Sequence, residues 1–450
     1  MMRALEIARS AKLRRLAALL VTIAGLGLAG CDDNGGDPTR QIGANPALPA
    51  LQQYLLPPIR IAKAVGWGKD ETPTVPQGLQ VRALATGFDH PRSLYVLPNG
   101  DVLVVESNGP KAPIDRPKDI ITGWVQWFAG AKTKDANRIT LLRDTKGDGV
   151  PELRTVFLDH LNSPFGVALI GHDLYVANTD AIVRYPYQDG QTSITAAGTK
   201  LTDLPGGPID HHWTKALLAS RDGSKLYVGV GSNSNIGENG IGAEYERAAI
   251  WEVDVASGAH RIFASGVRNP TGLQWEPETG KLWAIANERD EIGPDLVPDY
   301  LTSVQDGGFY GWPYSYYGQH LDPRIVPQRP DLVAKAIAPD YALSSHVAPL
   351  GLAMYTGTEL PYHNGAFVGE HGSWDRTPLN GYKVVFVPFS DGKPSGPAQD
   401  VVTGFLDAND HAHGRPVGLA VDRTGGLLIA DDVGNTVWRV SSRSMPKPGA

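Results

Sequence analysis

Short apolar runs recur along the chain, each closed by polar residues and each preceded by the same small punctuation. Gly266–Leu273 reads GVRNPTGL, and its tail, Asn-Pro-x-Gly-Leu, returns in degraded form as HPRSL at 90–94, SPFGV at 163–167, APLGL at 348–352 and RPVGL at 415–419. A turn follows each copy, and then a run such as DVLVVE (101–106), LYVAN (174–178), LYVGVG (226–231), LWAIAN (282–287), AFVGE (366–370) or LLIAD (427–431). Paired apolar runs around a Gly-containing turn read as β-hairpins. AIVRY (181–185), IWEV (250–253), KVVFV (383–387) and TVWRV (436–440) supply outer strands. The third unit, His212–Leu218, replaces the proline motif. Six units in series predict an all-β fold, a six-bladed β-propeller. The alternatives are a two-sheet sandwich and a seven-bladed ring with one poorly marked blade. One short helix is expected, over 117–131, its tryptophans packing on a blade edge. Asp144–Gly149 (DTKGDG) reads either as a plain turn or as an acidic Ca²⁺ loop without EF-hand spacing.

Composition agrees with a large all-β body: 450 residues, with 52 glycines and 35 prolines to serve many turns. The N-terminus changes the picture. Arg3, Arg9, Lys12, Arg14 and Arg15 precede a short apolar stretch, Leu16–Leu28, and residues 28–31 read Leu-Ala-Gly-Cys. This resembles a bacterial lipobox, so residues 1–30 are expected as a signal peptide and Cys31 as the lipidated mature N-terminus. Residues 31–50 are expected as a flexible tether, 51–80 as an N-terminal extension, 81–443 as the propeller and 444–450 as a tail. The expected location is the bacterial envelope, facing the periplasm and anchored to a membrane.

Residues 1–30 carry a net charge of +4, so the mature chain carries −11. An acidic body argues against nucleic acid as a partner. Cys31 is the only cysteine, which excludes a disulfide, a Cys-ligated metal and a CxxCH haem.

In a propeller the residues before each inner strand ring one mouth. Here these are His90 and Arg92, Ser163 and Phe165, His211 and His212, Arg268 and Asn269, His346, His413 and Arg415. A ring rich in His and Arg on an acidic protein suits a planar polyanion, because Arg pairs with carboxylates bidentately and stacks on rings. Residues at the ends of the paired strands join this mouth only if loops bring them back. A second cluster, Asn287–Asp295 (NERDEIGPD) with Asp299, offers hard oxygen donors suited to Ca²⁺, with Asp290, Gly293 and Pro294 as candidate ligands. A third, Glu370–Arg376 (EHGSWDR), gathers His, Trp and Arg.

Taken together, GVRNPTGLQW, NERDEIGPDLVPDYL with GGFYGWP, and HGSWDR resemble the glucose/sorbosone dehydrogenase family, quinoproteins that use pyrroloquinoline quinone (PQQ). The resemblance runs from about residue 80 to 441. It implies a six-bladed propeller that oxidises the C1 hydroxyl of aldoses, or related alcohols and aldehydes, in the periplasm. It also implies that Arg268 and Asn269 contact PQQ, that His212 is the general base, and that Arg376, His413 and Arg415 bind PQQ carboxylates. Ca²⁺ would be held largely by carbonyls within Glu288–Pro294, and electrons would pass to a quinone or a cytochrome.

Two departures stand out. The family's Asp after the third-blade strand is replaced by Gly231-Ser232-Asn233, leaving Asp210 as a candidate partner for His212. The first-blade Gln that contacts PQQ has no clear counterpart. Two other functions compete with the dehydrogenase. One is a Ca²⁺-dependent lactonase using Glu106, Asn178, Asn287 and Asp431. The other is a non-catalytic propeller lipoprotein that binds a glycan or an envelope protein.

Overall fold

A computed structural model of the chain describes residues 35–52, 59–111, 128–130, 136–207 and 209–443. The signal peptide, Cys31, the tail and most of the expected helix lie outside the described residues. Six sheets follow one another along the chain, each running from an inner to an outer strand and antiparallel except where Gly308–Phe309 adds in parallel to the third. The inner strands are Pro91–Val96, Gly166–Ile170, Leu217–Ala219, Pro270–Trp275, Pro349–Tyr355 and Pro416–Val421. The last sheet takes its outermost strand, Leu79–Thr86, from the N-terminal side, where it pairs with Thr436–Ser442 and closes the ring. The molecule is a six-bladed β-propeller with almost no helix among the described residues.

The unbroken apolar runs follow from this stacking. A blade is covered on both faces, so a middle strand buries every residue, as Leu282–Ala286 does. Its Trp283 and Ile285 pack toward blade five, while Leu282, Ala284 and Ala286 pack toward blade three. Outer strands see solvent on one face and alternate, as in Leu153–Leu158.

The Pro-x-Gly-Leu repeat has a steric cause. A Cβ on Gly351 would lie 2.0 Å from the Val417 carbonyl oxygen of the next blade, and one on Gly418 would lie 2.7 Å from Ser93 Cα. The glycine lets successive inner strands approach around the channel. In four blades the proline also begins a local register shift, for example between Pro270 and Gly272.

The expected tether differs from the structure. Asp37 caps a 3-10 turn over Pro38–Gln41, and Ile42–Gly43 pairs with Tyr341–Ser345 as a fifth strand of blade four. The cause is Gln41, which is 3% exposed. Its side chain donates to the Asp295 carbonyl at 2.9 Å and accepts from the Ser345 amide at 3.2 Å.

Candidate functional site

The antiparallel register sets the mouth. Pro91 faces Glu106, Pro270 faces Ala286, Pro349 faces Glu370 and Pro416 faces Asp431. The ends of the second strands therefore reach the mouth directly, without loops to bring them back. Their polar groups mostly fasten the adjoining turns. Glu106 accepts the Asp89 amide at 2.6 Å and pairs with Arg138 at 2.9 Å. Asn178 accepts the Asn162 amide at 3.3 Å, while the Thr271 hydroxyl donates to the Pro349 carbonyl at 2.6 Å and lies 3.3 Å from Asn287 Oδ1. Asp431 accepts the Arg415 amide at 2.8 Å and the Trp67 and Trp438 indoles at 2.6 and 3.1 Å. Three of the four groups assigned to a lactonase, Glu106, Asn178 and Asp431, thus fasten the scaffold.

Arg268 is 2% exposed and its donors are also committed. Nε reaches the Asn235 carbonyl at 3.1 Å, Nη1 the Glu288 carbonyl at 2.6 Å, and Nη2 both Asn235 Oδ1 and Asp290 Oδ2 at 2.9 Å. It ties the loop after blade three's second strand to the loop after blade four's, rather than standing open for a ligand. Its neighbour Asn269 is 6% exposed, and its Oδ1 has no partner among the described residues. Gly231 makes room for that oxygen, since a Cβ there would lie 2.4 Å from His212 Cβ and 2.6 Å from Asn269 Oδ1.

His212 sits against the end of the same strand. Its Nδ1 lies 2.9 Å from both the carbonyl and the hydroxyl oxygen of Ser232, and that hydroxyl donates onward to the Ser234 carbonyl at 2.6 Å. Donation to the Ser232 carbonyl places the ring hydrogen on Nδ1 and the lone pair on Nε2. Burial, then the charges of Arg268 and His211, hold the imidazole well below its ordinary value, so it stays neutral. Asp210 does not orient His212. It pairs instead with Arg247 at 2.7 Å and Lys215 at 3.3 Å and accepts from Thr179 at 2.8 Å. Burial brings Lys215 down to about 8.

Asp432 organises the opposite side of the mouth. It pairs with Arg92, with His371 at 3.0 Å and with His90 at 3.4 Å. Burial alone would raise its pKa, but His371, His90 and Arg92 hold it far below the usual carboxylate range. Burial brings His371 down to about 4. Arg92 lies 5.7 Å from the Trp213 ring centre, and Arg415 lies 4.9 Å from that of Tyr382. Arg415 is 6% exposed, and its Nε and Nη2 have no partner among the described residues.

Two expected anion-binding residues play other parts. Arg376 is a buried strut, donating to the Pro378 and Gly36 carbonyls at 2.7 and 2.6 Å and to Asp295 at 2.9 Å. Among the described residues its Nε lacks a partner. His413 turns away to the Gly66 carbonyl at 3.1 Å and lies against Trp67. Asp432 was not among the sequence candidates, and His371 stood among them only within the EHGSWDR cluster. The signals were the His of EHGSWDR and the doubled Asp after LLIA, but nothing in the sequence marks them as partners.

Between these halves lies an acidic cluster. His346 Nδ1 is 3.4 Å from Asp290 and 3.2 Å from Asp375, and its Nε2 is 3.0 Å from the Gly293 carbonyl oxygen. Burial alone would lower the imidazole pKa, but Asp375 and Asp290 carry it up to about 10. Burial lifts Asp375 to about 7. Asp290 falls to about 2 because Arg268 and His346 outweigh its burial. Asp290, His346 and Asp375 each offer one ligand atom, all within 4.8 Å of one another. The Gly293 carbonyl, expected as a Ca²⁺ ligand, here accepts from His346, while no contact marks Pro294 as a ligand. In the DTKGDG turn, Asp144 accepts the amides of Lys146, Gly147 and Gly149 at 3.2, 2.7 and 2.5 Å.

Fold and mouth together define a six-bladed propeller with a buried basic side, a neutral histidine and an acidic cluster around one opening. The chain belongs to the TrAA12-like family, whose model matches residues 135–298 and 331–443, and the Glucose / Sorbosone dehydrogenase model matches residues 252–372. It is similar to the pyrroloquinoline quinone-dependent pyranose dehydrogenase of Coprinopsis cinerea, at 24% identity over 436 residues. That match covers 83% of this chain, and the chain spans 55% of that relative's length. The holo PQQ domain of the Coprinopsis pyranose dehydrogenase superposes with a TM-score of 0.67 at 20% identity, covering 85% of this chain and all of that one. A calcium structure of the Trichoderma reesei family AA12 enzyme gives 0.67 at 19%, covering 86% and 99%.

Proposed function

We propose that this protein is a PQQ- and Ca²⁺-dependent dehydrogenase that oxidises a sugar, a sugar aldehyde or a related alcohol in the bacterial periplasm. The observation that carries the reading is Arg415, a buried guanidinium with two unpartnered nitrogens beside Arg92 and His371. A desolvated guanidinium is costly unless an anion pairs with it, and a planar tricarboxylate answers that need. The unpartnered Asn269 oxygen supplies a further polar contact. The residues present therefore fit PQQ, which Arg415 and Asn269 would hold. When bound, the quinone supplies the hydride acceptor.

His212 Nε2 takes the proton of the substrate hydroxyl, and the Ser232 carbonyl keeps the ring in the tautomer this requires. Arg268 acts through the loops it joins. Asp290 and Asp375 are hard donors for Ca²⁺ beside His346, and the calcium structure of the Trichoderma enzyme supports this choice of ion. Cys31 carries the lipid anchor, and electrons leave to a quinone or a cytochrome.

Titration of the purified protein with PQQ in the presence of Ca²⁺, followed by absorbance and fluorescence, tests the cofactor. Dye reduction across aldoses, sorbosone and small alcohols tests the reaction, and chelation should abolish it until Ca²⁺ is restored. Absence of both PQQ binding and PQQ-dependent turnover would overturn the reading. His212→Ala separates an enzyme from a binding propeller. The enzyme should lose about 10²–10⁴-fold in turnover while still binding PQQ, whereas a non-catalytic protein has no turnover to lose.

A further inference from the structure

The N-terminal segment enters the described body at the mouth. The Gly35 amide donates to the Thr377 carbonyl at 2.6 Å, and the Gly36 amide to Asp295 at 2.5 Å, beside the Arg376 strut. Thr377 is two residues from Asp375 of the acidic cluster. The described residues that follow make contacts on this side of the propeller. Gln52 bonds to Ile292, Arg60 to Trp374, and Val65 to Ala412, all in loops at the mouth end of blades four, five and six. Cys31 precedes Gly35 by four residues, a reach of at most about 14 Å for fully extended chain. A lipid on Cys31 therefore holds the mouth, and not the far end of the propeller, close to the bilayer.

That side also carries most of the large exposed hydrophobic side chains. Eight large hydrophobic residues are exposed among the described residues, and six lie in segments on the mouth side. Tyr245, 74% exposed, stands in the loop between paired strand ends Val230 and Ala249. Val326, 81% exposed, stands in a loop tied to the mouth by the Arg289–Asp322 and Arg324–Glu291 ion pairs at 3.1 and 3.4 Å. Ile59 and Val65 come from the N-terminal segment itself. Apolar and tyrosyl side chains of this kind settle at a lipid headgroup boundary, where the ring is covered and the hydroxyl stays wet. A net charge of −11 gives no electrostatic attraction to an anionic leaflet, so contact must come from the anchor and these side chains.

We infer that the mouth face lies against the membrane that holds the Cys31 lipid, so that the site opens toward the bilayer and meets its electron acceptor there. The inference rests on the lipidation in the proposed function and not on its cofactor or substrate.

The full-length lipoprotein, reconstituted in phosphatidylcholine vesicles containing nitroxide-labelled lipid, tests it. Lipidation consumes Cys31, so Tyr245→Cys, Val326→Cys and Val150→Cys each provide a single thiol for an NBD fluorophore. Val150 is exposed in the connection between Arg138–Arg143 and Leu153–Leu158, at the end of blade one away from the mouth. Lipid-borne nitroxide should quench the probes at 245 and 326 several-fold more than the probe at 150. Equal quenching at all three, or greater quenching at 150, would overturn the orientation. If the wild-type chain does not sediment with vesicles, there is no anchor and the inference falls. PQQ titration in solution needs no membrane and still decides the cofactor reading in that case.

Discussion

His212 shows how a missing carboxylate can be replaced by backbone. The Ser232 carbonyl fixes the tautomer as an aspartate would, but adds no negative charge to favour the protonated ring. With burial and Arg268 also opposing protonation, turnover should persist as pH falls through 6.5 and fail only in more acid solution. The sign for stability follows. Below about 6.5 an unfolded histidine binds a proton that the folded one refuses, so this residue lowers stability as pH drops. A pH–rate profile with its acid limb above 6.5 would contradict the assignment. Ser232→Asp should move that limb upward. For Arg415→Gln, loss of a charge-assisted pair predicts PQQ binding weaker by about ten- to a hundredfold, measured by titration. Arg376→Gln should instead lower the melting temperature, because it removes a strut rather than a ligand contact. In sequence these two arginines look alike; only their surroundings separate them.

At the level of the element, the end of each second strand is a place where a polar group either fastens a turn or stands alone. Glu106 and Asp431 fasten turns. Glu370 ends its strand with Oε2 buried and without a partner among the described residues, and burial lifts it to about 8. Its charged form is therefore disfavoured in the folded state, and the unfolded chain releases the proton near 4.5. Stability lost through this group grows as pH rises from about 4.5 to 8. Glu370→Gln should match the wild type near pH 4.5 and melt higher than it at pH 8, checked by thermal unfolding at the two pH values. The strands themselves were legible because two-sided burial makes a blade's middle strand continuously apolar. The small strand Ile42–Gly43 was not. Its composition reads as linker, and its order comes from Gln41 bonding to Asp295 and Ser345, about 250 and 300 residues away.

For the whole molecule, closure decides stability. Leu79–Thr86 and Thr436–Ser442 join the two ends of the ring across seven paired positions. Deleting residues 79–86 would leave an open edge on blade six and unpair the ring, so the variant should lose its single cooperative calorimetric transition or aggregate.

The repeat at the inner strands, the turn glycines and the two-sided apolar runs are local or periodic, so the sequence by itself determined an all-β chain of six blades and the mouth to which its unusual residues belong. It also marked the stretches around Arg268, Asp290 and Glu370. It did not determine which charges at that mouth stay open. Arg92 meets Asp432 across 340 positions, and Arg376 meets Gly36 across the same number. Arg268 is used up by loops from two blades, while Arg415, outwardly the same kind of residue, is left with unpartnered nitrogens. Whether a buried charge is satisfied depends on every donor and acceptor within about 3 Å of it. Ring closure sets that neighbourhood from distant segments, so only the tertiary structure could decide it.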